Sequence, residues 1–220
     1  MNRQVVSSNN YINKNLISQS SFQGFPVIQS RGPMLNNWLS KISDVLANAL
    51  IDYPRTFAFR VDLRLPSYDF SYDEDRLVER FIASLKKKLK HNREMARKAA
   101  NGWVPDTRVR YVWAREMVDA GKPHFHFMIF VNRDAFHKLG IYELGRDNMY
   151  NRLIQAWASA LSLNAEQAFG LVHIPNNAMY EVNADCLQSQ SAAFFRASYL
   201  AKLETKNYGI GRHSFGSSRI

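Results

Sequence analysis

The chain predicts an α+β fold, a ferredoxin-like β-α-β-β-α-β antiparallel sheet with helices packed on it. Three observations carry that prediction. Strand and helix periodicities follow one another in that order from Arg55 to Ile174. The run Lys122 to Asn132 is apolar on both sides, which suits a central strand with both faces covered. At 220 residues the chain is long enough for one sizeable core plus an appendage. The division expected is a flexible polar arm over residues 1–33 and a single domain over 34–220.

Residues 1–33 hold 15 Asn, Gln and Ser, too many for a core-forming segment, hence the arm. Leu35, Trp38, Leu39, Ile42, Leu46 and Leu50 then recur at helical spacing, and Pro54 closes that helix. From Arg55 to Leu65 the period changes to two. Phe57, Phe59, Val61 and Leu63 face one way, while Ala58, Arg60, Asp62 and Arg64 face the other. Asp73 to Lys98 reads as a long helix on the stripe Leu77, Phe81, Leu85 and Leu89, with Lys86, Lys87, Lys88 and Lys90 beside it. Asn101-Gly102 stops it. Arg108 to Val118 is a second strand and Asp119-Ala120-Gly121 a tight turn. Lys122 to Asn132 is the third strand. Arg146 to Leu163 is a helix built on Met149, Leu153, Trp157 and Leu161. Gly170 to Ile174 is a short fourth strand ended by Pro175-Asn176-Asn177. Ser191 to Lys206 is a last helix, expected across the sheet's other face. No internal repeat is visible.

The formal net charge of +10 and pI of about 9.8 favour a polyanionic partner, most simply nucleic acid. Cys186 is the single cysteine, which excludes an internal disulfide framework and a cysteine-based zinc site. No apolar signal core begins the sequence and no run has the length of a membrane span. The expectation is a soluble, cytoplasmic protein with no membrane partner.

The third strand carries His124-Phe125-His126. Two imidazoles separated by one residue on a strand point to the same side, which lets a strand offer two nitrogen ligands to one metal ion. If Asp119-Ala120-Gly121 is a three-residue hairpin loop, Glu116 lies directly opposite His124 and shares its face. A two-residue loop would shift the register and send Glu116 to the other side. Gly121 suits the bulge that three-residue loops favour. Two histidines and one carboxylate make a site for Mn²⁺, Mg²⁺ or Zn²⁺ with positions open to substrate oxygens. Asp62, on the charged face of the first strand, is a reserve ligand. His173 is an outside candidate, whereas His91 and His137 read as surface residues.

Phe195, Tyr199, Lys202 and Lys206 fall at spacings of four, three and four in the last helix and so share one stripe. A tyrosine followed one turn later by a lysine is what phosphodiester cleavage by tyrosine needs. The phenol attacks phosphorus, and the lysine stabilises the charge that develops.

His124-Phe125-His126 resembles the His-hydrophobic-His motif of the HUH endonuclease superfamily, the rolling-circle replication initiators and relaxases. Tyr199-Leu200-Ala201-Lys202 resembles its tyrosine motif. Val61-Asp62-Leu63-Arg64 is similar to the first-strand motif of its replication branch. The order of these motifs is closest to the filamentous-phage (inovirus-type) replication proteins, which also occur in cryptic prophages. The resemblance covers roughly residues 35–220. It implies a Mn²⁺- or Mg²⁺-dependent nickase that cuts one strand at an origin. That enzyme would keep a 5′-phosphotyrosine link through Tyr199 and release a 3′-hydroxyl primer. Some relatives carry a second tyrosine one turn later; here that place is Leu203, so one tyrosine acts. No Walker-type phosphate-binding run is present, so a host helicase and polymerase are the implied partners.

A nickase must also hold single-stranded or melted origin DNA. Arg60, Arg64, Lys206 and Arg212 are the expected phosphate contacts, with Arg108, Arg110 and Arg219 as further members of a basic rim. The competing reading is a DNA-binding regulator on the same fold that does not cleave. A water-using metal hydrolase, for which Tyr199 is dispensable, is the third.

Overall fold

A computed structural model describes residues 16–67, 74–117, 122–203 and 214–219. Four two-residue strands open it: β1 (Leu16–Ile17), β2 (Ser21–Phe22), β3 (Phe25–Pro26) and β4 (Met34–Leu35). There follow α1 (Asn36–Asp52), β5 (Arg55–Leu63), α2 (Glu74–Ala100), β6 (Arg110–Met117) and β7 (Pro123–Asn132). The rest are α3 (Met149–Leu161), α4 (Ala165–Ala168), β8 (Val172–His173), β9 (Met179–Asn183), α5 (Leu187–Ser198) and β10 (Phe215–Ser217). The class is α+β, as the sequence predicts.

The main sheet runs β10-β6-β7-β5-β8, and β9 pairs with β5 beside β8. Every one of these pairings is antiparallel. The long strands β5 and β7 are neighbours at the centre, because both are apolar on the two faces that helices cover. Glu116 stands opposite His124 and Met117 opposite Pro123, the register expected of a three-residue loop. The loop residues Asp119 to Gly121 lie outside the described residues.

Strand alternation divides the interior into two cores. On one face, Phe57, Phe59 and Val61 of β5 and Phe125, Phe127 and Ile129 of β7 pack under Leu77, Phe81 and Leu85 of α2 and Leu153 and Trp157 of α3. Trp157 also donates its indole N–H to the Arg64 carbonyl at 2.8 Å, which satisfies the one polar atom of a fully buried ring. On the other face, Ala58, Val112, Ala114, Met128 and Phe130 meet Leu39, Ile42 and Leu46 of α1 and Phe194 and Ala197 of α5. The last helix does lie across the face opposite α2 and α3.

Several expected boundaries move, each for a non-local reason. The last helix does not reach Lys206. It ends at Ser198, passes through one 3₁₀ turn at Tyr199–Ala201, and Lys202 is extended. Lys202 there bridges to Met34, and the Leu203 N–H donates to the Pro33 carbonyl at 3.0 Å. Pairing with the N-terminal segment thus replaces further helical bonds. That segment, expected as a flexible arm, is packed over residues 16–33. Phe22 and Val27 are buried, Phe25 stacks on Phe194 at 4.9 Å, and the Ile28 N–H donates to Ser198 Oγ at 3.0 Å. Residues 1–15 lie outside the described residues.

The fourth strand is only two residues long. β9 and β10 are additions that the sequence pattern does not announce. In β9 only Val182 is buried, so there is no alternation to read. In β10, Gly216 allows close approach to β6, since a Cβ there would sit 2.5 Å from the Trp113 indole nitrogen. No described helix is long and apolar enough to cross a membrane.

Candidate active site

The second face of the sheet is apolar along its middle and polar at its ends, with Arg110 on Asp52 at one and a larger charged cluster at the other. There, cross-strand pairing sets His126 between Ala114 of β6 and Asp62 of β5, one step from the Glu116–His124 pair. Directly opposed residues share a face, so these side chains converge. His126 is the hub. Its Nδ1 lies 2.7 Å from Asp62 Oδ1, and its Nε2 lies 3.3 Å from Glu116 Oε2. Arg60, two residues before Asp62 and on the same face, grips that carboxylate with two nitrogens. Nε donates to Oδ1 at 3.0 Å and Nη2 to Oδ2 at 3.3 Å.

The end of α5 lowers the nucleophile candidate onto this cluster. The Tyr199 hydroxyl donates towards Glu116 Oε2 at 3.5 Å and accepts from Lys202 Nζ at 2.9 Å. Lys202 Nζ also lies 3.2 Å from Glu116 Oε1. The Arg60 guanidinium sits 4.2 Å from the centre of the Tyr199 ring, and the His126 ring meets that ring edge-on at 5.7 Å. Because Lys202 has left the helix, its amine folds back over the phenol rather than standing beside it.

Burial makes the cluster costly unless its charges are matched. Lys202 is 5% exposed, Arg60 6% and His126 7%, with Asp62 and Glu116 also buried. Two basic and two acidic groups surround one imidazole, so each charge has an opposite neighbour. Burial alone would raise the Asp62 pKa. The hydrogen bond and charge of His126, with the Arg60 guanidinium, outweigh it and hold the carboxyl down to about 2. Burial likewise opposes charge on His126, but the hydrogen bonds it donates to Asp62 and Glu116, with their negative charge, raise its pKa above the ordinary histidine value. His124 is half-buried and shifts the opposite way, first through burial and then through the charge of Arg64. A neutral His124 keeps a lone pair for a metal.

Among the described residues no three His, Cys, Asp or Glu side chains form a ready metal-binding group. The donor set nonetheless fits a divalent cation in chemistry and spacing. Two donors each about 2.1 Å from one ion and about 100° apart lie about 3.2 Å from each other. His126 Nε2 and Glu116 Oε2 are 3.3 Å apart. Asp62, expected as a reserve ligand, stands instead on the far ring nitrogen. That is the place of the carboxylate that fixes the tautomer of a ligating histidine.

Of the sequence-selected residues, Asp62, Glu116, His126, Tyr199 and Lys202 come together, with His124 alongside. Arg60 joins them, but as a buried partner of Asp62 and Tyr199 rather than an exposed phosphate contact. Arg64 is exposed at the strand end, near enough for its charge to act on His124. Arg108 and Arg110 leave the expected rim. They bind Asp52 at 3.1 and 2.6 Å at the other end of β6, and Arg110 also donates to the Arg219 carbonyl at 3.0 Å. Lys206 and Arg212 lie outside the described residues.

Arg196 is the site residue that sequence reasoning missed. It sits one turn before Tyr199, close enough for its charge to act on Arg60, Asp62 and Tyr199. Its Nη2 donates to the Asn176 carbonyl at 3.0 Å, and its Nε is buried with no hydrogen-bond partner among the described residues. The i, i+3 spacing to Tyr199 was the available signal.

No solved structure matches the chain. The uncharacterized protein YagK of Escherichia coli (strain K12) is 33% identical over 207 residues, covering 87% of this chain and 96% of the relative. The uncharacterized protein YfjJ of the same strain is 31% identical over 202 residues, covering 86% and 96%. A family model described as the YagK/YfjJ C-terminal domain matches residues 17–218, from the packed N-terminal strands to the closing strand β10. The chain therefore belongs to the YagK/YfjJ C-terminal domain family.

Proposed function

We propose that the protein is a metal-dependent DNA-nicking enzyme of the HUH endonuclease type, acting through one tyrosine as a rolling-circle replication initiator in a bacterial cytoplasm. The observation that carries this reading is the Tyr199 hydroxyl, held between Lys202 Nζ at 2.9 Å and Glu116 Oε2 at 3.5 Å beside His126. A structural tyrosine has no need of a buried lysine, a buried glutamate and a doubly bonded histidine around its oxygen.

Tyr199 is the nucleophile. Its oxygen attacks the scissile phosphorus, the bond to the 3′-oxygen breaks, and the products are a 5′-phosphotyrosine and a 3′-hydroxyl. The phenol proton leaves by way of Glu116, and the departing 3′-oxygen takes a proton from solvent. Lys202, already donating to the phenol oxygen, stabilises phenolate as it forms. Arg60 holds the ring from its face, and Arg196 and Arg64 supply positive charge for the incoming phosphate. His126, His124 and Glu116 are the residues that would hold Mn²⁺ or Mg²⁺, and Asp62 orients His126. The metal, when bound, polarises the phosphoryl oxygen. Unwinding and synthesis fall to a host helicase and polymerase.

The test is a nicking assay on a supercoiled plasmid that carries the gene's own flanking DNA, with Mn²⁺ or Mg²⁺. Wild type is expected to yield open circles. Tyr199→Phe and His126→Ala are expected to bind and not cut. Cutting by Tyr199→Phe would replace this reading with a water-using hydrolase. Binding without cutting by any form would leave the DNA-binding regulator.

A further inference from the structure

A cavity of about 680 Å³ lies away from Tyr199, between α2 and α3 on the sheet's opposite face. Lys87, Lys88 and His91 line it from one helix, and Arg146, Arg152 and Gln155 from the other helix and the turn before it. Met95 is the one large apolar side chain in the lining, and no Phe, Tyr or Trp is among the described residues there. The one carboxylate, Asp147, is already bound to Arg152. Arg146 is paired with Glu143 beside the cleft at 2.8 Å, and Lys87 and Lys88 still leave the lining with an excess of positive charge.

Charge on α2 is distributed unevenly. From Lys86 to Lys98 the helix carries Lys86, Lys87, Lys88, Lys90, Arg93, Arg97 and Lys98 against Glu94 alone. From Lys87 to Lys98 the basic stretch runs about 16 Å along the helix axis. That is longer than a nucleotide's phosphates need, and it continues past the cleft. A single strand is held by aromatic platforms on which bases stack, and this lining has none. Phosphate contact without base contact is the mode of duplex DNA held by its backbone.

We propose that the α2–α3 cleft binds the phosphate backbone of duplex DNA, independently of the Tyr199 site on the other face. The DNA is the duplex that flanks the strand offered to Tyr199, so the assignment rests on the DNA reading of that site. The contacts are sequence-independent and salt-sensitive.

The experiment pairs two readouts on the full chain. The first is affinity for a fluorescent 30-base-pair duplex over a salt series. The second is covalent attachment to a short single strand from the flanking DNA. The cleft variant is Lys87→Glu/Arg146→Glu. The charge-matched control is Lys41→Glu/Arg55→Glu, on exposed residues outside the cleft. The cleft variant is expected to lose roughly tenfold to hundredfold in duplex affinity and about two in the salt slope, while the control stays near wild type. Attachment to the short strand is expected to be unchanged in both. Equal affinities for cleft and control variants, or a wild type that binds no duplex, would overturn the proposal. Loss of duplex affinity confined to the cleft variant would support it even if no form attached to the single strand, an outcome that would count against the nickase alone.

Discussion

The two faces of the central sheet are built from the same strands and differ at alternate residues. On β7, Phe125, Phe127 and Ile129 go to one face, and His126, Met128 and Phe130 to the other. The first face is closed by Phe81 and Trp157 and, among the described residues, holds no ion pair near its centre. The second is equally apolar under the middle of α1 and turns polar at its two ends, at the Arg110–Asp52 pair and, where α5 ends, around His126. Buried ion clusters give little stability compared with well-packed apolar groups. A sheet that can build the first face needs no Arg60–Asp62–His126–Glu116–Lys202 chain for folding. Local violation of apolar patterning is where function is expected, and here it coincides with a half-buried tyrosine.

The contrast can be broken most severely at the nucleophile. Tyr199→Phe is expected to lower single-turnover strand cleavage by at least about a thousandfold while leaving the thermal midpoint near that of wild type. The apolar face should behave in reverse. Trp157→Ala is expected to lose about 3–5 kcal/mol in urea unfolding, with whatever protein remains folded keeping its cleavage chemistry. A smaller effect is expected at Asp62→Asn, which keeps the shape and removes the charge behind His126. Mn²⁺ affinity, read by titration calorimetry, should fall about tenfold to hundredfold.

The smallest effect is the acid limb of stability in metal-free protein. The Asp62 carboxyl is depressed from 3.8 to about 2 on folding, so its contribution is present above about pH 4 and is lost as pH falls towards 2. The amount is on the order of 2 kcal/mol. His126 is raised, so its side of the same contact is complete below 6.5 and fades as pH rises through the folded value. Urea midpoints at successive pH values measure it as the difference between wild type and Asp62→Asn, which shrinks as pH falls from 4 to 2.

Much of this was legible in the sequence because it is local. Helical stripes, the alternation of β5 and the apolar run of β7 are read within a single element. Reading Asp119-Ala120-Gly121 as a three-residue loop predicts Glu116 opposite His124 from a span of nine residues, and the strands pair in that register. The rest depends on partners far along the chain. Nothing near Ser198 announces that Lys202 will pair with Met34, yet that pairing ends α5 and swings the amine onto the phenol. The polar N-terminal segment reads as solvent-borne because its few apolar residues, Phe22, Phe25 and Val27, have no period. They pack because Phe194 and its neighbours leave a surface for them. Arg60 reads as a DNA contact because it alternates with apolar residues. Its burial follows only once Tyr199 is known to lie above it.

The central claim is that Tyr199 takes the phosphate. The most direct test is peptide mass mapping of protein incubated with Mn²⁺ and single-stranded flanking DNA, then digested with nuclease and protease. The account predicts a nucleotide linked through a 5′-phosphodiester to the peptide containing Tyr199, only when metal is present. Cleaved DNA with unmodified Tyr199, or a nucleotide linked to another residue, would contradict it.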